Sequence, residues 1–401
     1  MRKKVLVLGS NFGGLTAALA VNQELHGDVN VRVLSPSERF VFNPSLIWLP
    51  FGNRKAEDIT FEVGPTFEAH GIDFVHSAAV EIDADRKRVR AATGVWYDYD
   101  YLVVATGYRN KMDAFEGLAD NAVTITTLED AVRAGERWRR FLVDPGDVVV
   151  AASQGAGCFG AAYEFLFNMS YRLRRAELKS KVRLTYVTAE PFLGHFGIGG
   201  LPHGESLLGM FMRRQNIDAR LGTSIAHVAE DAVVLGDGTE IPSSYSMVVP
   251  PFVGQDVART AIGLAADEKG YLPVRPTYQS EKYDDVYVVG IAAAVAVPWQ
   301  TAVPVGIPKT GYPTEVQAHT AAKNIAAQIR GQAPKHARAF GDIPAVCVMD
   351  AGNNGVIILA DKMLPPRKHG VLIPGPQAHL MKLGFEKYFL WKARHGYVQL
   401  P

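Results

Sequence analysis

A cysteine inside a glycine-rich loop is the feature of this sequence that most clearly points to chemistry. Residues 154–165 read QGAGCFGAAYEF, in which Gly155, Gly157 and Gly160 have the spacing G-x-G-x-x-G and Cys158 follows the second glycine. An apolar run, DVVVAAS (147–153), precedes the loop, and a helix-like stretch follows it. This order of strand, glycine loop and helix is typical of a dinucleotide-binding turn, whose backbone amides hold a pyrophosphate. A thiol in such a loop raises the question of what it replaces.

Cys158 in this position could deliver electrons to a flavin. Both a dithiol and a reduced nicotinamide supply two electrons, and a thiolate can do so by adding to the flavin ring. A position at a helix N-terminus also lowers the pKa of a thiol, which favours the nucleophilic thiolate. We therefore expect the thiol to take the place of a nicotinamide as the electron donor.

Cys347, at the end of an apolar strand, is the second of the two cysteines in this chain of 401 residues. Two cysteines cannot form a disulfide framework for a chain of this size, so they are either inert core residues or one redox pair. Taken alone, Cys347 is better interpreted as a small buried hydrophobic residue. If it meets Cys158, the two form a disulfide that an external sulfur nucleophile could open by exchange.

Two βαβ units are predicted to position these residues. The first begins with an apolar strand at 3–9, passes through a glycine loop into a helix at 15–25 and returns as a strand at 30–35. The second begins at Asp147 and returns as a strand at 182–191. Short apolar, β-branched runs of this kind are typical of buried parallel strands. A late buried strand at 281–290 and a long helix over 308–329 complete the pattern.

The first glycine loop, residues 9–14, reads GSNFGG and departs from the usual spacing because Asn11 replaces the middle glycine. Asn is the non-glycine residue that best tolerates positive φ, so the turn can be kept. The acid expected about 20 residues further on is missing. Ser35 stands at the strand end instead, with Glu38 after it. An ordinary turn is the alternative, but ATG (105–107) occurs where FAD-dependent two-domain reductases have a similar turn, which favours dinucleotide binding.

The overall composition limits the partners of the protein. Its 42 Lys and Arg against 41 Asp and Glu give a net charge of +1, which offers no argument for nucleic-acid binding. No run reaches about 18 consecutive apolar residues, so no membrane-spanning helix is predicted. The N-terminus, MRKKVLVLGS, leads directly into a strand, so no signal peptide is expected. No metal site is predicted.

The C-terminal stretch departs from this charge balance, since residues 366–401 contain six Lys or Arg and one acid, Glu386. Read as a helix, the stretch has an aromatic face with a basic rim, which suits a membrane interface. A terminal helix packed on its own core is the alternative. The residues concerned are Phe385, Tyr388, Phe389 and Trp391, alternating with Lys382, Lys387, Lys392 and Arg394.

Several stretches together make the chain similar to the sulfide:quinone oxidoreductases, which are flavoproteins with two dinucleotide-binding domains. The similarity runs nearly end to end and is carried by QGAGCFGAAYEF, AEPFLGHFGIGG (189–200), VPVGIPKTGYPTE (303–315), AVCVMD (345–350) and FEKYFLWK (385–392). It implies FAD in the N-terminal domain, and a redox pair of Cys158 and Cys347 on the flavin face where related enzymes place NAD(P)H. It also implies a quinone on the opposite face, near the C-terminal segment.

The pattern and the resemblance together predict an α/β protein with two Rossmann-like dinucleotide-binding domains of the disulfide-reductase type and a C-terminal membrane-interacting segment. The FAD-binding domain is discontinuous and consists of residues 1–110 and 262–335. The second domain, residues 111–261, carries Cys158. Residues 336–401 form the C-terminal segment associated with quinone and membrane.

The resemblance also implies roles for individual residues. Glu164 and His195 would act as acid or base beside the sulfur chemistry; the alternatives are a solvated helical Glu164 and a surface His195. Phe385 would stack on the quinone, with Val348 as a weaker candidate. A helix that starts after Lys309 and Thr310 would stabilise the anion formed when the flavin is reduced. The expected FAD contacts are Gly9, Asn11, Phe12, Gly14, Ser35, Val80, Ala105, Thr106, Gly107, Gly290, Lys309 and Thr310.

Two positions depart from the pattern of this family. Many members have a third cysteine and a nearby histidine where this chain has Thr126 and Asp130. Because that cysteine is the usual candidate for a covalent link to the flavin, we predict that FAD is bound non-covalently. Ile291 stands where most two-domain flavoreductases have an acid on the ribityl chain, which argues against a generic NADH dehydrogenase.

Three functions remain open from the sequence. The main one is a sulfide:quinone oxidoreductase that oxidises sulfide to polysulfide or elemental sulfur at the Cys158/Cys347 pair and passes two electrons through FAD to a membrane quinone. The alternatives are the flavin subunit of a flavocytochrome c sulfide dehydrogenase and a non-catalytic homologue that binds sulfur or flavin. The main function predicts a peripheral protein of a prokaryotic cell membrane, with sulfide and quinone as partners. Homo-oligomerisation is left open.

Overall fold

The structure of the protein, a computed structural model, describes residues 2–308 and 310–398. Short strands alternate with helices along most of the chain. In chain order the strands are β1 (Lys4–Leu8), β2 (Asn30–Ser35), β3 (Arg39–Val41), β4 (Thr60–Glu62), β5 (Asp73–His76), β6 (Ala79–Asp83), β7 (Arg88–Ala91), β8 (Trp96–Asp98), β9 (Tyr101–Val104), β10 (Tyr108–Asn110), β11 (Ala122–Val123), β12 (Val148–Ala152), β13 (Leu184–Thr188), β14 (Ile217–Arg220), β15 (Ile225–Val228), β16 (Ala232–Leu235), β17 (Glu240–Pro242), β18 (Tyr245–Val249), β19 (Phe252–Gly254), β20 (Val286–Val288), β21 (Ala345–Asp350), β22 (Gly355–Ala360) and β23 (Gly370–Pro374). The α-helices are α1 (Phe12–Glu24), α2 (Val63–Ala69), α3 (Leu118–Asn121), α4 (Leu128–Phe141), α5 (Phe159–Arg175), α6 (Gly204–Arg214), α7 (Asp256–Arg259), α8 (Gly311–Ile329) and α9 (Pro376–Arg394).

The first parallel sheet combines strands from distant parts of the chain. Its order is β20-β9-β1-β2-β5, and β1 pairs in parallel with both β2 and β9. The late strand β20 pairs in parallel with β9, which brings residues 286–288 into the same sheet as the N-terminal strands. Helix α1 packs against α8. The N-terminal residues and the long helix near residue 320 thus belong to one folded unit.

The second parallel sheet has the order β11-β18-β12-β13-β14. Its strand β12 has the sequence VVVAA, and all five of its residues are buried, as expected for a central parallel strand covered on both faces. Helix α5 follows β12 after the glycine loop at residues 155–160. The predicted α/β class with two Rossmann-like units is confirmed, and the two units are joined by the antiparallel pair β10–β19.

The C-terminal part is a three-stranded antiparallel sheet, β21-β22-β23, with helix α9 packed against it. Residues directly opposite each other in such a sheet point to the same face, so Cys347, Ile358 and Leu372 form one row. Within residues 2–308 and 310–398, none of the helices is long and apolar enough to cross a membrane.

The first glycine loop turns differently from what the sequence predicts. Gly9 has φ +104°, which a side chain would disfavour. Asn11 has φ −91° and caps α1 in an extended conformation. The explanation of Asn11 through positive φ is therefore wrong, because Gly9 alone provides the left-handed residue of this turn.

Candidate active site

The amides of the second glycine loop are engaged within the protein. The backbone N–H of Gly155 donates to Pro304 O at 2.9 Å, and that of Gly157 donates to Pro250 O at 3.1 Å. The Phe252 ring lies so close to Gly157 that a Cβ there would come within 1.9 Å of the ring. Amides that already donate to carbonyl oxygens cannot also hold a pyrophosphate. The loop therefore keeps the shape of a dinucleotide-binding turn without its binding surface.

Cys158 is the N-cap residue of α5 and is half-buried. Burial raises the pKa of its thiol, and the backbone amides of Ala161 and Gly160, which donate to the sulfur, lower it by less. The expected net lowering of this pKa is therefore wrong. Two amides at the helix N-terminus do stabilise the thiolate, but the dense surroundings penalise its charge more strongly.

Cys347 lies in β21 opposite Ile358, and its side chain is exposed, so it is not the buried hydrophobic residue that it suggests in isolation. Although the side chain is accessible, dense protein around it raises the pKa of the thiol to about 12 by desolvation. Charge on Glu164 and on Cys158 raises this pKa further, which places the three groups within electrostatic reach of one another. The structure thus brings Cys347 to the Cys158 site, with both residues as free thiols.

Glu164 lies in α5 and is buried, so the solvated alternative is wrong. Its Oε1 accepts hydrogen bonds from Lys382 Nζ at 2.5 Å and from the backbone N–H of Asp350 at 2.6 Å. Burial raises the pKa of Glu164, and the charge of Lys382 opposes that rise. Charge on Glu164 raises the pKa of both cysteines, whereas charge on Lys382 lowers it. The ion pair therefore lies beside the two thiols.

Sequence reasoning missed the partners of Glu164. Lys382 and Lys392 are predicted as part of a basic rim, but both are buried. Lys392 Nζ donates to Glu315 Oε1 of α8 at 3.1 Å, as Lys382 does to Glu164 of α5. The basic rim is therefore wrong at these two positions, because each ammonium pairs with a carboxylate from another helix. Asp350 is a charged residue at the end of the apolar strand that contains Cys347, and this position could have indicated that the site contains polar side chains.

His195 lies between β13 and α6 and is buried, so the surface alternative is wrong. Its Nδ1 accepts a hydrogen bond from Gly197 N–H at 3.2 Å, and its ring lies edge-on to Trp299. Burial lowers the pKa of His195 to about 4, and the charge of Arg367 contributes. The imidazole is therefore neutral near pH 7. Gly197 packs against Phe159, the residue after Cys158, so the His195 loop borders the thiol.

A buried carboxylate, Glu190, holds the His195 loop in place. Its Oε2 accepts hydrogen bonds from Tyr163 OH at 2.9 Å, Tyr186 OH at 3.2 Å and Thr188 Oγ1 at 2.9 Å. Its Oε1 accepts from the backbone N–H of Phe196 at 2.6 Å. Burial raises the pKa of Glu190 to about 7 despite these donors. The loop beside the thiols is thus fixed by a group that titrates near neutral pH.

A close approach of two strand ends forms the predicted cofactor cradle. A Cβ on Gly9 would lie 2.5 Å from Ala105 O, and one on Gly14 would lie 1.9 Å from Gly9 O. Asn11 Oδ1 and Thr106 Oγ1 are buried there and have no hydrogen-bond partner in the part of the chain that the structure describes. Glycine backbone at the carboxyl ends of parallel strands, together with unsatisfied polar atoms, fits a dinucleotide such as FAD.

Three other predicted cofactor residues lie at or near the ends of strands and helices. Ser35 ends β2 and is buried, with its Oγ 2.8 Å from Ser10 Oγ. Gly290 has φ +70° and donates its N–H to Gln317 Oε1 at 2.6 Å. Thr310 is the N-cap residue of α8 and is exposed. The predicted contact at Lys309 lies outside the described residues.

The remaining predicted cofactor residues have mixed surroundings. Phe12 packs its ring against Phe389 of α9, with 4.9 Å between the ring centroids, so it connects α1 with the C-terminal helix. Gly107 has φ +72°, and nothing would obstruct a side chain there. Val80, in β6, is exposed. No group of three or more His, Cys, Asp or Glu side chains within the described ranges could hold a metal ion.

Thr126 and Asp130, which stand where the resemblance places a cysteine and a histidine, belong to one polar network. Thr126 Oγ1 donates to Asn110 Oδ1 at 2.9 Å, and Asn110 Nδ2 donates to Asp130 Oδ2 at 3.0 Å. Asp130 also pairs with Arg133 at 2.5 Å. Asn110 was not identified from the sequence. Thr126 and Asp130 are therefore joined through hydrogen bonds to Asn110, and neither position offers a thiol.

The two predicted quinone residues lie on different elements. Phe385, in α9, is half-buried and packs against Phe42, with 5.9 Å between the ring centroids. Val348 lies in β21 next to Cys347 and is also half-buried. Successive side chains of a strand point to opposite faces, so Val348 faces away from Cys347. Val348 instead shares a face with Asp350, whose side chain contacts His379 of α9, the helix that carries Phe385.

Two Rossmann-like units, a cofactor cradle at the first glycine loop and a thiol at the second define the class of two-domain flavin disulfide reductases. The family model of the pyridine nucleotide-disulphide oxidoreductases matches residues 3–318 of the chain. A sulfide-quinone reductase of Aquifex aeolicus (strain VF5) is 34% identical over 99% of this chain and 93% of its own length. The chain therefore belongs to the pyridine nucleotide-disulphide oxidoreductases and, within them, to the sulfide-quinone reductases.

A solved structure agrees with this assignment, and a more distant relative is named for a different activity. The X-ray structure of the sulfide:quinone oxidoreductase from Aquifex aeolicus has a TM-score of 0.95 and 33% identity, covering 99% of this chain and 92% of that chain. A type II NADH:quinone oxidoreductase of Staphylococcus aureus (strain MSSA476) is 24% identical over 92% of both chains. The protein is an FAD-dependent oxidoreductase.

Proposed function

We propose that the protein is a sulfide:quinone oxidoreductase that oxidises sulfide at Cys158 and Cys347 and passes two electrons through FAD to a membrane quinone. The observation that carries this proposal is the convergence of both thiols on one buried ion pair, Glu164 and Lys382. The glycine loop beside them has its amides bonded internally, which favours a thiol over a nicotinamide as the electron donor. The similarity to sulfide-quinone reductases extends over nearly the whole chain.

The chemistry begins with exchange at the disulfide formed by Cys158 and Cys347. Hydrosulfide attacks one sulfur, the bond between the two cysteines breaks, and the attacked cysteine keeps the added atom as a persulfide while the other leaves as a thiolate. The leaving thiolate then bonds to the outer sulfur of the persulfide, which gives a trisulfide bridge and releases two electrons and one proton. Bound FAD would accept these two electrons and supply them to quinone. Repeated attack lengthens the sulfur chain to polysulfide or elemental sulfur. The exchange itself needs no residue beyond the two cysteines.

Glu164 and Lys382 control charge and protons at this exchange. The ammonium of Lys382 lowers the pKa of both thiols and so stabilises the thiolate that leaves. Glu164 Oε1, which accepts from Lys382 at 2.5 Å, can take up the proton that hydrosulfide loses. His195 is neutral near pH 7 and, because its Nδ1 accepts from Gly197 N–H, its Nε2 carries the ring proton and can donate a hydrogen bond to incoming sulfide. The catalytic set is therefore Cys158, Cys347, Glu164 and His195.

FAD is held by the cradle of the first unit. Gly9, Asn11 and Gly14 would hold the pyrophosphate at the N-terminus of α1, and the unsatisfied oxygens of Asn11 and Thr106 would bond to the cofactor. Thr310 is the N-cap residue of α8, whose N-terminus would stabilise the reduced flavin anion, and Lys309 is a further proposed contact. We propose non-covalent binding, since Thr126 offers a hydroxyl bonded to Asn110 and not a thiol. The other proposed contacts are Phe12, Ser35, Val80, Ala105, Gly107 and Gly290.

The C-terminal segment associates with the membrane and with quinone. Helix α9 and the residues after it expose large apolar side chains although α9 packs on the protein through its other face. Phe385 is the proposed stacking residue for quinone, and Val348 is a further contact. The exposed apolar side chains, called the apolar patch below, are Leu380, Met381, Tyr388, Trp391 and Tyr397. We propose a peripheral protein of a prokaryotic membrane.

The domain boundaries are proposed with the same function. Residues 1–110 and 262–335 include the strands of the first sheet, and residues 111–261 include those of the second. Residues 336–401 include the described sheet β21-β22-β23 and helix α9. Each of the three parts thus supplies one side of the reaction: the cofactor, Cys158, and Cys347 with the quinone residues.

Anaerobic reduction of the bound flavin by sulfide tests this function. We expect bleaching of the flavin absorbance on addition of sulfide and recovery on addition of a short-chain quinone. Cys158→Ala and Cys347→Ala should each lose sulfide-driven bleaching while keeping FAD and its reduction by dithionite, which serves as the internal control. Recovery with cytochrome c but not with quinone would instead support a flavocytochrome subunit, and absence of bleaching in the unaltered protein would reject catalysis of sulfide oxidation.

A further inference from the structure

A buried group of charged side chains connects the cysteine site with the surface beside α9. We call it the Asp350 cluster, and two of its members, Glu164 and Lys382, are used in the chemistry above. Its members come from α5, β21, α9 and the short 3₁₀ helix before residue 49, and they are Glu164, Asp350, His379, Lys382 and Trp48. Buried charges are costly unless they are paired, so such a group calls for a function as well as partners.

The inner end of the Asp350 cluster is the ion pair of Glu164 and Lys382, which lies next to the thiols. Glu164 Oε1 accepts from Lys382 Nζ at 2.5 Å and from Asp350 N–H at 2.6 Å. The Lys382 side chain keeps 4% of its accessible surface, so this ammonium is almost entirely removed from solvent. Both charges act on both cysteines. The pair therefore connects helix α9 with the helix that begins at Cys158.

Its outer end is a carboxylate and an imidazole. Asp350 Oδ2 accepts from Trp48 Nε1 at 2.9 Å, and Asp350 Oδ1 lies 2.6 Å from His379 Nδ1. Burial works to raise the pKa of Asp350, but the Trp48 hydrogen bond, the charge of Lys382 and His379 together lower it. The Asp350 side chain has no exposed surface, whereas that of His379 is 22% exposed. His379 is thus the member of this pair that meets water.

The proposed reaction requires a proton from solvent. Oxidation of hydrosulfide to added sulfur releases two electrons and one proton, whereas reduction of a quinone to a quinol takes up two of each. One proton per turnover must therefore enter from water and reach the quinone. Histidine is suited to such an entry because it changes charge near neutral pH.

The positions along α9 match this requirement. His379, Lys382 and Phe385 follow one another at intervals of three residues, so they lie on neighbouring parts of one helix face. The outer end of the cluster is therefore two steps along the helix from the residue proposed to stack on quinone. Resting on the proposed function, we propose that His379 and Asp350 form the solvent entrance of a proton path that continues past Lys382 along α9 to the quinone at Phe385.

Groups from each element that packs around His379 form its surroundings. Asp350 faces it from β21, and Lys382 is one turn further along α9. The indole of Trp48 lies edge-on to the imidazole and carries no charge. The Arg54 guanidinium stacks on that same indole and is itself paired with Glu386. A change at Asp350 therefore removes the carboxylate in direct contact with His379 and leaves the Arg54 pair intact.

Flavin reduction by sulfide and flavin reoxidation by quinone can be measured separately, so the proton path can be tested apart from the chemistry at the cysteines. In stopped-flow experiments on the FAD-loaded protein, His379→Gln and Asp350→Asn should reduce the rate of flavin reoxidation by a short-chain quinone about tenfold or more at pH 8. Reduction by sulfide should stay within about twofold, because the exchange at the disulfide takes no proton from solvent. His227→Gln, in β15 of the second unit, is the matched control and should change neither rate.

Imidazole in the buffer should restore reoxidation in His379→Gln, which a purely structural defect would not allow. Diethyl pyrocarbonate followed by mass spectrometry tests the entrance without turnover, and we expect His379 of the native protein to be modified. Unchanged reoxidation in both variants, or a His379 that stays unmodified, would overturn the path while leaving the proposed function intact. Failure of sulfide to reduce the flavin in the unaltered protein would overturn the proposed function and this path together.

Discussion

Lys382 of α9 donates a hydrogen bond to Glu164 of α5 at 2.5 Å, and the two side chains keep 4% and 11% of their accessible surface. This pair joins the C-terminal helix to the helix that begins at Cys158. Neither charge has water to solvate it, so each depends on the other. The packing of α9 on α5 and the charge around the thiols therefore depend on the same ion pair.

We predict that Lys382→Met destabilises the protein strongly. Removal of one partner leaves a buried carboxylate unpaired, which costs about 3–5 kcal/mol of the free energy of unfolding. The double variant Glu164→Gln/Lys382→Met should lose clearly less, since no buried charge remains. Urea denaturation of the three proteins followed by circular dichroism measures this. Equal losses in the single and double variants would show that the pair does not carry charge in the folded state.

Glu190 makes the stability of the His195 loop depend on pH. Burial raises the pKa of this carboxyl from 4.5 to about 7, so between these values the folded protein holds a proton that the unfolded chain has released. The resulting stabilisation is fully present below about pH 4.5 and is lost as the pH rises through 7, with a total of about 3 kcal/mol.

Unfolding of the protein and of Glu190→Gln should therefore diverge with pH. We expect the difference in free energy of unfolding between them to change across pH 5–7.5 and to be constant above pH 8. Glu190→Gln keeps a side chain of the same shape that never ionises, so it should lack this part of the pH dependence. Identical pH profiles for both proteins would mean that the Glu190 carboxyl titrates at its ordinary pKa.

Two glycines of the second loop provide a matched pair. A Cβ on Gly157 would lie 1.9 Å from the Phe252 ring, whereas nothing lies within 4 Å of a Cβ on Gly160. The Phe252 ring stacks on Tyr108 with 3.9 Å between the ring centroids. Gly157→Ala should push Phe252 out of this stack, at a cost of about 1–3 kcal/mol. Gly160→Ala, inside the first turn of α5, should be neutral or stabilise by up to about 1 kcal/mol. Thermal unfolding measures the stability of both variants. Equal changes in stability would argue against the close packing of Phe252 on Gly157.

The sequence predicts the sheets of this fold better than its site. Apolar runs such as VVVAA identify buried parallel strands because burial on both faces leaves no polar alternation. The paired thiols could be predicted only through a resemblance, since Cys158 and Cys347 lie on separate elements. Helical spacing placed Lys382 on a basic rim, because nothing local shows that Glu164, 218 residues earlier, faces it. Local sequence patterns do not predict contacts between segments that are far apart in the chain.

Thr106 tests the cofactor cradle through opposite effects on the protein with and without FAD. Its Oγ1 is buried and has no hydrogen-bond partner among the residues described. Thr106→Val should therefore stabilise the apoprotein slightly but weaken FAD binding by about 1–3 kcal/mol. Ser170→Ala removes another buried unsatisfied hydroxyl, in α5, and is the matched control that should leave FAD binding unchanged. Flavin fluorescence titration measures both; unchanged affinity in Thr106→Val would remove Thr106 from the cradle.

The apolar patch around α9 predicts binding to lipid. Leu380 is 66% exposed and Trp391 is 52% exposed, and basic side chains such as Lys387 and Arg394 are exposed on the same helix. Leu380→Glu and Trp391→Glu should each reduce co-sedimentation with anionic vesicles, because each introduces a charge that must stay in water. Val143→Glu, at an 87% exposed apolar residue of the second unit, should bind like the unaltered protein. Equal loss in all three would indicate an effect of net charge, and no loss in the α9 variants would place lipid contact elsewhere.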